Sequence, residues 1–178
     1  MNISGTWAID PAHSSVEFIV RHMMVSRVKG RFSGVSGTVV IPESGFAGAV
    51  VEVDIDASTV DTRDGKRDEH LRSNDFFGTG DHPKILFRST RIVPKGGDAF
   101  DLHGDLSIRG VTRPVVLDAR YLGQGVNPWG MTVAGFEAST AIEREDYGVT
   151  WNAPLEAGGV IVSNEVKISL DIEVIKQG

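Results

Sequence analysis

Residues Val160 to Val174 read Val-Ile-Val-Ser-Asn-Glu-Val-Lys-Ile-Ser-Leu-Asp-Ile-Glu-Val. The even positions, Val160, Val162, Asn164, Val166, Ile168, Leu170, Ile172 and Val174, are apolar except for one asparagine. Glu165, Lys167, Ser169, Asp171 and Glu173 occupy odd positions between them. Successive side chains of a strand point to opposite faces, so this pattern predicts a strand of up to 15 residues with one buried and one wet face.

The same period recurs at Val16-Phe18-Val20, Val51-Val53-Ile55, Phe100-Leu102-Leu106-Ile108 and Val115-Leu117-Ala119-Tyr121, and more weakly at Phe136-Ala138-Thr140-Ile142. Turn-rich clusters separate these runs at Pro42 to Gly48, Gly78 to Pro83, Pro94 to Asp98, Gly123 to Gly130 and Ala153 to Gly159. Asp64 to Phe77 carries too many charges and too little alternation for a strand, and predicts a short helix near Arg67 to Asn74 with a connector. Long strands joined by short turns predict an all-β fold, an extended antiparallel β-barrel of about eight strands with one short helical connector. No composition shift or internal repeat divides residues 1–178, which read as a single domain.

Composition excludes several function classes. The formal net charge of -6 argues against a phosphate-backbone partner, so no nucleic acid is expected. The absence of cysteine removes disulfides, thiol nucleophiles and thiolate metal sites together. Met1 to Asp10 lack the apolar run of a signal peptide, and no stretch approaches the roughly 20 apolar residues of a spanning helix. The expectation is a water-soluble, cytoplasmic protein without a membrane span.

Candidate chemistry is sparse. The histidines at 13, 22, 70, 82 and 103 show no metal-ligand spacing, so no metal site is expected. Ser14 adjoins His13, but neighbours on a strand point apart, and no Gly-x-Ser-x-Gly elbow is present. Gly30, Gly34 and Gly37 lie along an apparent strand without a following helix, which suits barrel corners better than a phosphate loop. Glu143 and Glu145 would share one strand face, most simply a solvated one. Trp7, Trp129 and Trp151, with eight phenylalanines, are available to fill an interior. A barrel of eight strands is wide enough to be filled by side chains or to keep one slim ligand, and composition does not decide between them.

Motifs spread along the chain are more specific. Trp7-x-Ile9-Asp10-x-x-His13-Ser14-x-Val16-x-Phe18-x-Val20-x-His22 is followed by Val28-Lys29-Gly30-Arg31-Phe32. Arg67-Asp68-x-His70-Leu71-Arg72-Ser73-x-Asp75-Phe76-Phe77 leads into Pro83-x-Ile85-x-Phe87. Gly104-x-Leu106-x-Ile108-x-Gly110-x-Thr112-x-Pro114-Val115, then Ile142-x-Arg144-x-x-Tyr147-Gly148 and Val166-x-Ile168, complete the series. In order and spacing this set resembles the YceI-like family of polyisoprenoid-binding proteins.

The resemblance implies a lipocalin-like barrel whose lumen binds an isoprenoid chain, as of an isoprenoid quinone or a polyprenyl pyrophosphate, and a homodimer. It implies a lumen lined by Phe18, Val20, Phe32, Phe87, Leu106 and Phe136, with His70, Leu71, Phe76 and Phe77 on a lid side where the tunnel meets solvent. Arg63, Lys66, Arg67 and Arg72 cluster as candidates for a charged head group. Met23 and Met24 sit beside a turn, where thioethers adapt to an entering lipid. At ~0.8 kcal/mol per buried methylene-sized group, a five-carbon unit contributes on the order of 3–4 kcal/mol. Several units outweigh association costs of ~4–15 kcal/mol, so no catalytic residue and no cofactor are needed. The rival reading is a lipocalin-like enzyme acting on a hydrophobic substrate through Glu143, His70 or His22. A third is a barrel filled by its own side chains.

Overall fold

The structure, a computed structural model, describes residues 3–178. Its strands are β1 (Gly5–Ile9), β2 (Ser15–His22), β3 (Ser26–Phe32), β4 (Val35–Ile41), β5 (Val50–Asp56), β6 (Val60–Asp61), β7 (Lys84–Gly96), β8 (Ala99–Ile108), β9 (Val111–Val126), β10 (Thr132–Glu143) and β11 (Glu165–Lys176). One α-helix, α1, spans Gly65–Arg72. All pairings between strands are antiparallel. The order β1-β4-β5-β7-β8-β9-β10-β11, with β1 pairing back to β11, closes an eight-stranded barrel as the alternation predicts. Beyond that ring β2, β3 and β6 continue the wall.

The continuation depends on a corner. β11 pairs with β1 at Val174 to Lys176 and with β2 at Lys167 to Asp171, so its partner changes at Glu173. The Ser14 hydroxyl donates to the Glu173 carbonyl at 3.2 Å and accepts from the Glu173 N–H at 3.1 Å. The Asp10 N–H donates to the same carbonyl at 2.9 Å. The Asp10-x-x-His13-Ser14 stretch therefore keeps the ladder satisfied where the strand bends, as a buried backbone requires.

The barrel is unevenly filled. Near the β1–β11 closure Trp7, Ala134 and Val174 are each 1% exposed and pack solidly with Ile41. Phe46, on a 3-10 turn between β4 and β5, lies 4.7 Å from Phe100 on β8 and 5.9 Å from Phe136 on β10. Phe46 comes from the β4–β5 side of the ring and its aromatic partners stand across it on β8 and β10, so the Phe46 side chain bridges the bore.

At the other end α1 sits across the opening. Asp64 caps it, its carboxylate accepting from the N–H groups of Lys66 and Arg67 at 3.1 Å. Leu71 is the only aliphatic side chain in the helix, so tethers rather than an apolar stripe hold it. Buried Asp68 accepts from the Thr62 N–H at 2.8 Å and hydroxyl at 2.6 Å, and Arg67 Nε donates to that hydroxyl at 2.7 Å. The helix thus lies two residues earlier than predicted, because Asp64 is the first residue able to cap it and Ser73 turns extended.

Other boundaries also differ. β11 begins at Glu165 rather than Val160, because residues 160–164 serve elsewhere: Val162 bridges His22, Val160 bridges Pro154, and the Arg144 guanidinium takes the Ser163 carbonyl. β7 runs through Pro94 to Gly96, where the turn-rich composition predicts a break; beyond Arg88 it has no β5 partner, and a proline is tolerated on a free edge. β9 similarly continues to Val126 in a projecting hairpin with β10. Glu145 belongs to a 3-10 turn (Arg144–Tyr147), so Glu143 and Glu145 do not share a strand face. Trp129 lies at the tip of the β9–β10 hairpin, 75% exposed, and fills no interior.

Candidate functional site

The inward faces of the strands enclose a cavity of about 610 Å³. This falls within the ~300–1,000 Å³ typical of small-molecule sites. The barrel is therefore not filled by its own side chains. On β11 its wall is Val166, Ile168, Leu170 and Ile172, the alternating residues that set the fold. From Val166 to Ile172 the strand rises roughly 20 Å. That length suits an extended chain better than a compact metabolite.

All ten residues named as lumen and lid candidates line this cavity: Phe18, Val20, Phe32, His70, Leu71, Phe76, Phe77, Phe87, Leu106 and Phe136. Phe18 and Phe32 have ring centroids 5.6 Å apart, and Phe32 meets Phe77 edge-on at 5.6 Å. The aromatic wall thus continues from β2 and β3 onto the segment beneath α1. Two glycines keep it thin: Phe18 lies over Gly30 and Phe87 over Gly104, where an added Cβ would come within 2.2 and 2.3 Å of the rings.

The connector that carries the lid-side residues Phe76 and Phe77 is fastened at its backbone. The Phe77 N–H donates to the Leu71 carbonyl at 2.9 Å, the Thr79 N–H to that of Arg72 at 3.0 Å and the His82 N–H to that of Gly78 at 2.8 Å. Arg109 donates to the Phe76 carbonyl at 2.9 Å. The mouth beside α1 is marked by exposed lining residues, Asp64 and Lys66 of the α1 start and Glu17 and Arg21 of β2, and Glu137 of β10 is exposed along the wall. His22, Val28, Ile161 and Val162 complete that rim.

The four cationic candidates separate. Lys66 is exposed and Arg67 half-buried on the cavity wall, though the Arg67 guanidinium is bound to the Thr62 hydroxyl and carbonyl. Arg72 does not line the cavity; it donates to the carbonyls of Ser58 at 2.8 Å and Val60 at 3.3 Å. Arg63 is also off the wall, in the turn before α1, with its N–H held by the Asp61 carboxylate. Clustering in sequence did not become clustering at the mouth, because a helix distributes adjacent residues around its axis.

Arg144 was not singled out by sequence reasoning, yet it is 5% exposed and lines the cavity. Its guanidinium donates to the carbonyls of Ser163 at 2.8 Å, Val149 at 2.7 Å, Trp151 at 2.9 Å and Val162 at 3.4 Å. Burial lowers its pKa from the ordinary arginine value. It ties residues 149–163 into the mouth, and the only signal in the sequence was its place in the Ile142-x-Arg144 motif.

The residues proposed for acid–base work are not assembled. Glu143 is exposed on the outer face, opposite Glu165. His70 contacts the Asp75 carboxylate at 2.8 Å and packs edge-on against Phe76 and Trp151, while His22 lies on the rim. Asp10, His13 and Glu173 bring potential metal-ligand atoms within 4.8 Å of one another, but on the outer corner away from the cavity. Among the described residues no helix is long and apolar enough to cross a membrane.

Comparison with known proteins agrees with this architecture. A UPF0312 protein of Vibrio parahaemolyticus is 36% identical over 166 residues, covering 93% of this chain and 84% of that protein. Protein YceI of Escherichia coli is 39% identical over 165 residues, covering 93% and 83%. Among solved structures, BcnA of Burkholderia cenocepacia superposes with a TM-score of 0.81 at 23% identity, covering 93% of this chain and 98% of that one. A polyisoprenoid binding domain from Saccharophagus degradans superposes at 0.71 and 16% identity, covering 96% and 98%. The model of the YceI-like domain matches residues 7–174, and with the closed barrel and its end-opening apolar bore this shows that the chain belongs to the YceI-like family.

Proposed function

We propose that the protein binds a long isoprenoid lipid in the barrel cavity and sequesters or carries it. The observation that carries this reading is the cavity itself: an elongated bore walled by aliphatic and aromatic side chains, bridged by Phe46 at one end and open beside Lys66 at the other. Such a site rewards a branched hydrocarbon along its whole length and leaves a polar head at the rim. The polyisoprenoid binding domain that shares this fold supports the choice of lipid. The chemistry is binding alone, with no catalytic residue and no cofactor.

Mass spectrometry of an organic extract of the purified protein tests this directly. The expected result is a stoichiometric isoprenoid quinone or polyprenyl pyrophosphate. Protein stripped of lipid is then titrated in detergent with a long-chain isoprenoid quinone, read by quenching of Trp151, which lines the cavity. Absence of isoprenoid in the extract together with no saturable quenching would end this reading.

A further inference from the structure

We infer that the β2–β3 hairpin tip docks on an anionic lipid bilayer and presents the mouth of the bore to it. The inference rests on the lipid-binding reading and adds the surface from which the ligand would be drawn. Met23, Met24 and Val25 form the tip and are 44%, 55% and 83% exposed. Met23 and Met24 have φ of +51° and +62°, the left-handed conformation that such turns normally assign to asparagine and glycine. Side chains ill-suited to the turn and to water thus occupy its most exposed point. The tip is held in place, with the Met23 N–H donating to the Ile161 carbonyl at 2.8 Å. Val160, 37% exposed, extends the apolar surface.

The charge around the tip selects the partner. Between Glu17 and Glu43 the chain has Arg21, Arg27, Lys29 and Arg31 and no acidic residue, in a protein of net charge -6. Arg21 and Arg27 are direct cross-strand partners. Like charges so placed destabilise a hairpin. Neither has a carboxylate partner among the described residues, whereas Arg31 pairs with Asp61. An apolar point ringed by unneutralised cations matches an anionic interface, where the point enters the acyl boundary and the cations meet phosphates. Arg21, His22 and Val28 of the same hairpin also line the cavity, so docking would set the opening against the lipid.

The test is co-sedimentation of the whole chain with vesicles of phosphatidylcholine, alone or mixed with phosphatidylglycerol. Binding is expected only to the mixed vesicles, and to weaken with salt. Met24→Ser with Val25→Ser, and separately Arg27→Gln with Lys29→Gln, should each weaken it about tenfold or more, because each removes two groups that would enter the acyl boundary or meet the phosphates. Trp129→Ser, on the projecting β9–β10 hairpin, should leave it unchanged. Circular dichroism checks the fold of each variant, and quinone titration in detergent checks the bore. Docking is overturned if wild-type protein ignores the mixed vesicles, if the tip variants bind like wild type, or if Trp129→Ser abolishes binding instead. It is equally overturned if the tip substitutions change only the mass measured by sedimentation, since the tip would then seat a second copy. Saturable quinone binding by variants that lose the vesicles separates failure of docking from failure of the lipid-binding reading.

Discussion

Phe18 and Gly30 are direct cross-strand partners on the inner face of β2 and β3, and the ring of Phe18 covers the position where a Gly30 side chain would stand. A Cβ there would lie 2.2 Å from Cζ of Phe18, so any other residue forces the ring off the wall. The bore is open here because a glycine lets a large aromatic lie flat. Gly30→Ala is expected to cost roughly 1–3 kcal/mol, the range for overpacking a well-packed site. It should also lower isoprenoid occupancy by driving Phe18 inward. Thermal unfolding and lipid content per folded molecule check both, and Gly104→Ala should act likewise through Phe87.

Charge inside the bore should abolish binding where it changes nothing outside. Phe18→Asp or Phe76→Asp places a carboxylate among apolar lining side chains, while Lys167→Ala alters an exposed residue of β11. The first two are expected to lose lipid occupancy and the third to keep it. Occupancy is measured per folded molecule, since a buried charge also destabilises the barrel. Retained binding in both folded Asp variants would refute the assignment of the bore.

The separation of the cations predicts different phenotypes for neighbours on α1. Lys66→Gln should weaken an anionic polyprenyl pyrophosphate by about twofold to fivefold, the scale of an exposed charge contact, and leave an uncharged quinone unaffected. Arg72→Gln should instead lower stability by about 1–3 kcal/mol, because two carbonyls of residues 58–60 lose their donor. Parallel titrations with the two lipids, beside denaturant curves, distinguish the roles.

Arg144→Met is expected to destabilise the protein by about 3 kcal/mol, because four carbonyls lose a buried charged donor. Hydrogen exchange should show the loss concentrated in residues 149–163. Uniform loss of protection over the whole barrel would contradict a local clamp.

The Asp10–His13 contact predicts a pH signature at the β1–β2 corner. The hydrogen bond to Asp10, reinforced by the charges of Asp10 and Glu173, raises the His13 pKa, while the bond from His13 lowers that of Asp10. A raised histidine stabilises fully below its unfolded value of about 6.5 and loses that contribution as pH rises through the folded value. A depressed aspartate stabilises above about 3.9 and loses it as pH falls through its folded value. The corner is therefore tightest between roughly pH 4 and 6.5. NMR titration should place the His13 midpoint above the ordinary value, and Asp10→Asn should return it.

What the sequence determined by itself was the period. Val166, Ile168, Leu170 and Ile172 alternate with charged neighbours, and since strand side chains point to alternate faces, that pattern alone names the wall of the bore. Resemblance to the YceI-like family, carried by motifs in the chain, implied that Phe18, Phe32, Phe76 and Phe77 surround one interior, and all four line the cavity. What only the tertiary structure decided were relationships between residues far apart in the chain. Whether the barrel is hollow depends on Trp7, Phe46 and Val174 crowding one end while Gly30 and Gly104 spare the rest. Which cation reaches the mouth depends on the rotation of α1, set by the Asp68–Thr62 tether. The role of Arg144 depends on four carbonyls that converge only when residues 149–163 fold over it. Alternation is a local consequence of backbone geometry and survives in sequence. Cavity volume and hydrogen-bond convergence are sums over distant contacts, which no stretch of chain carries alone.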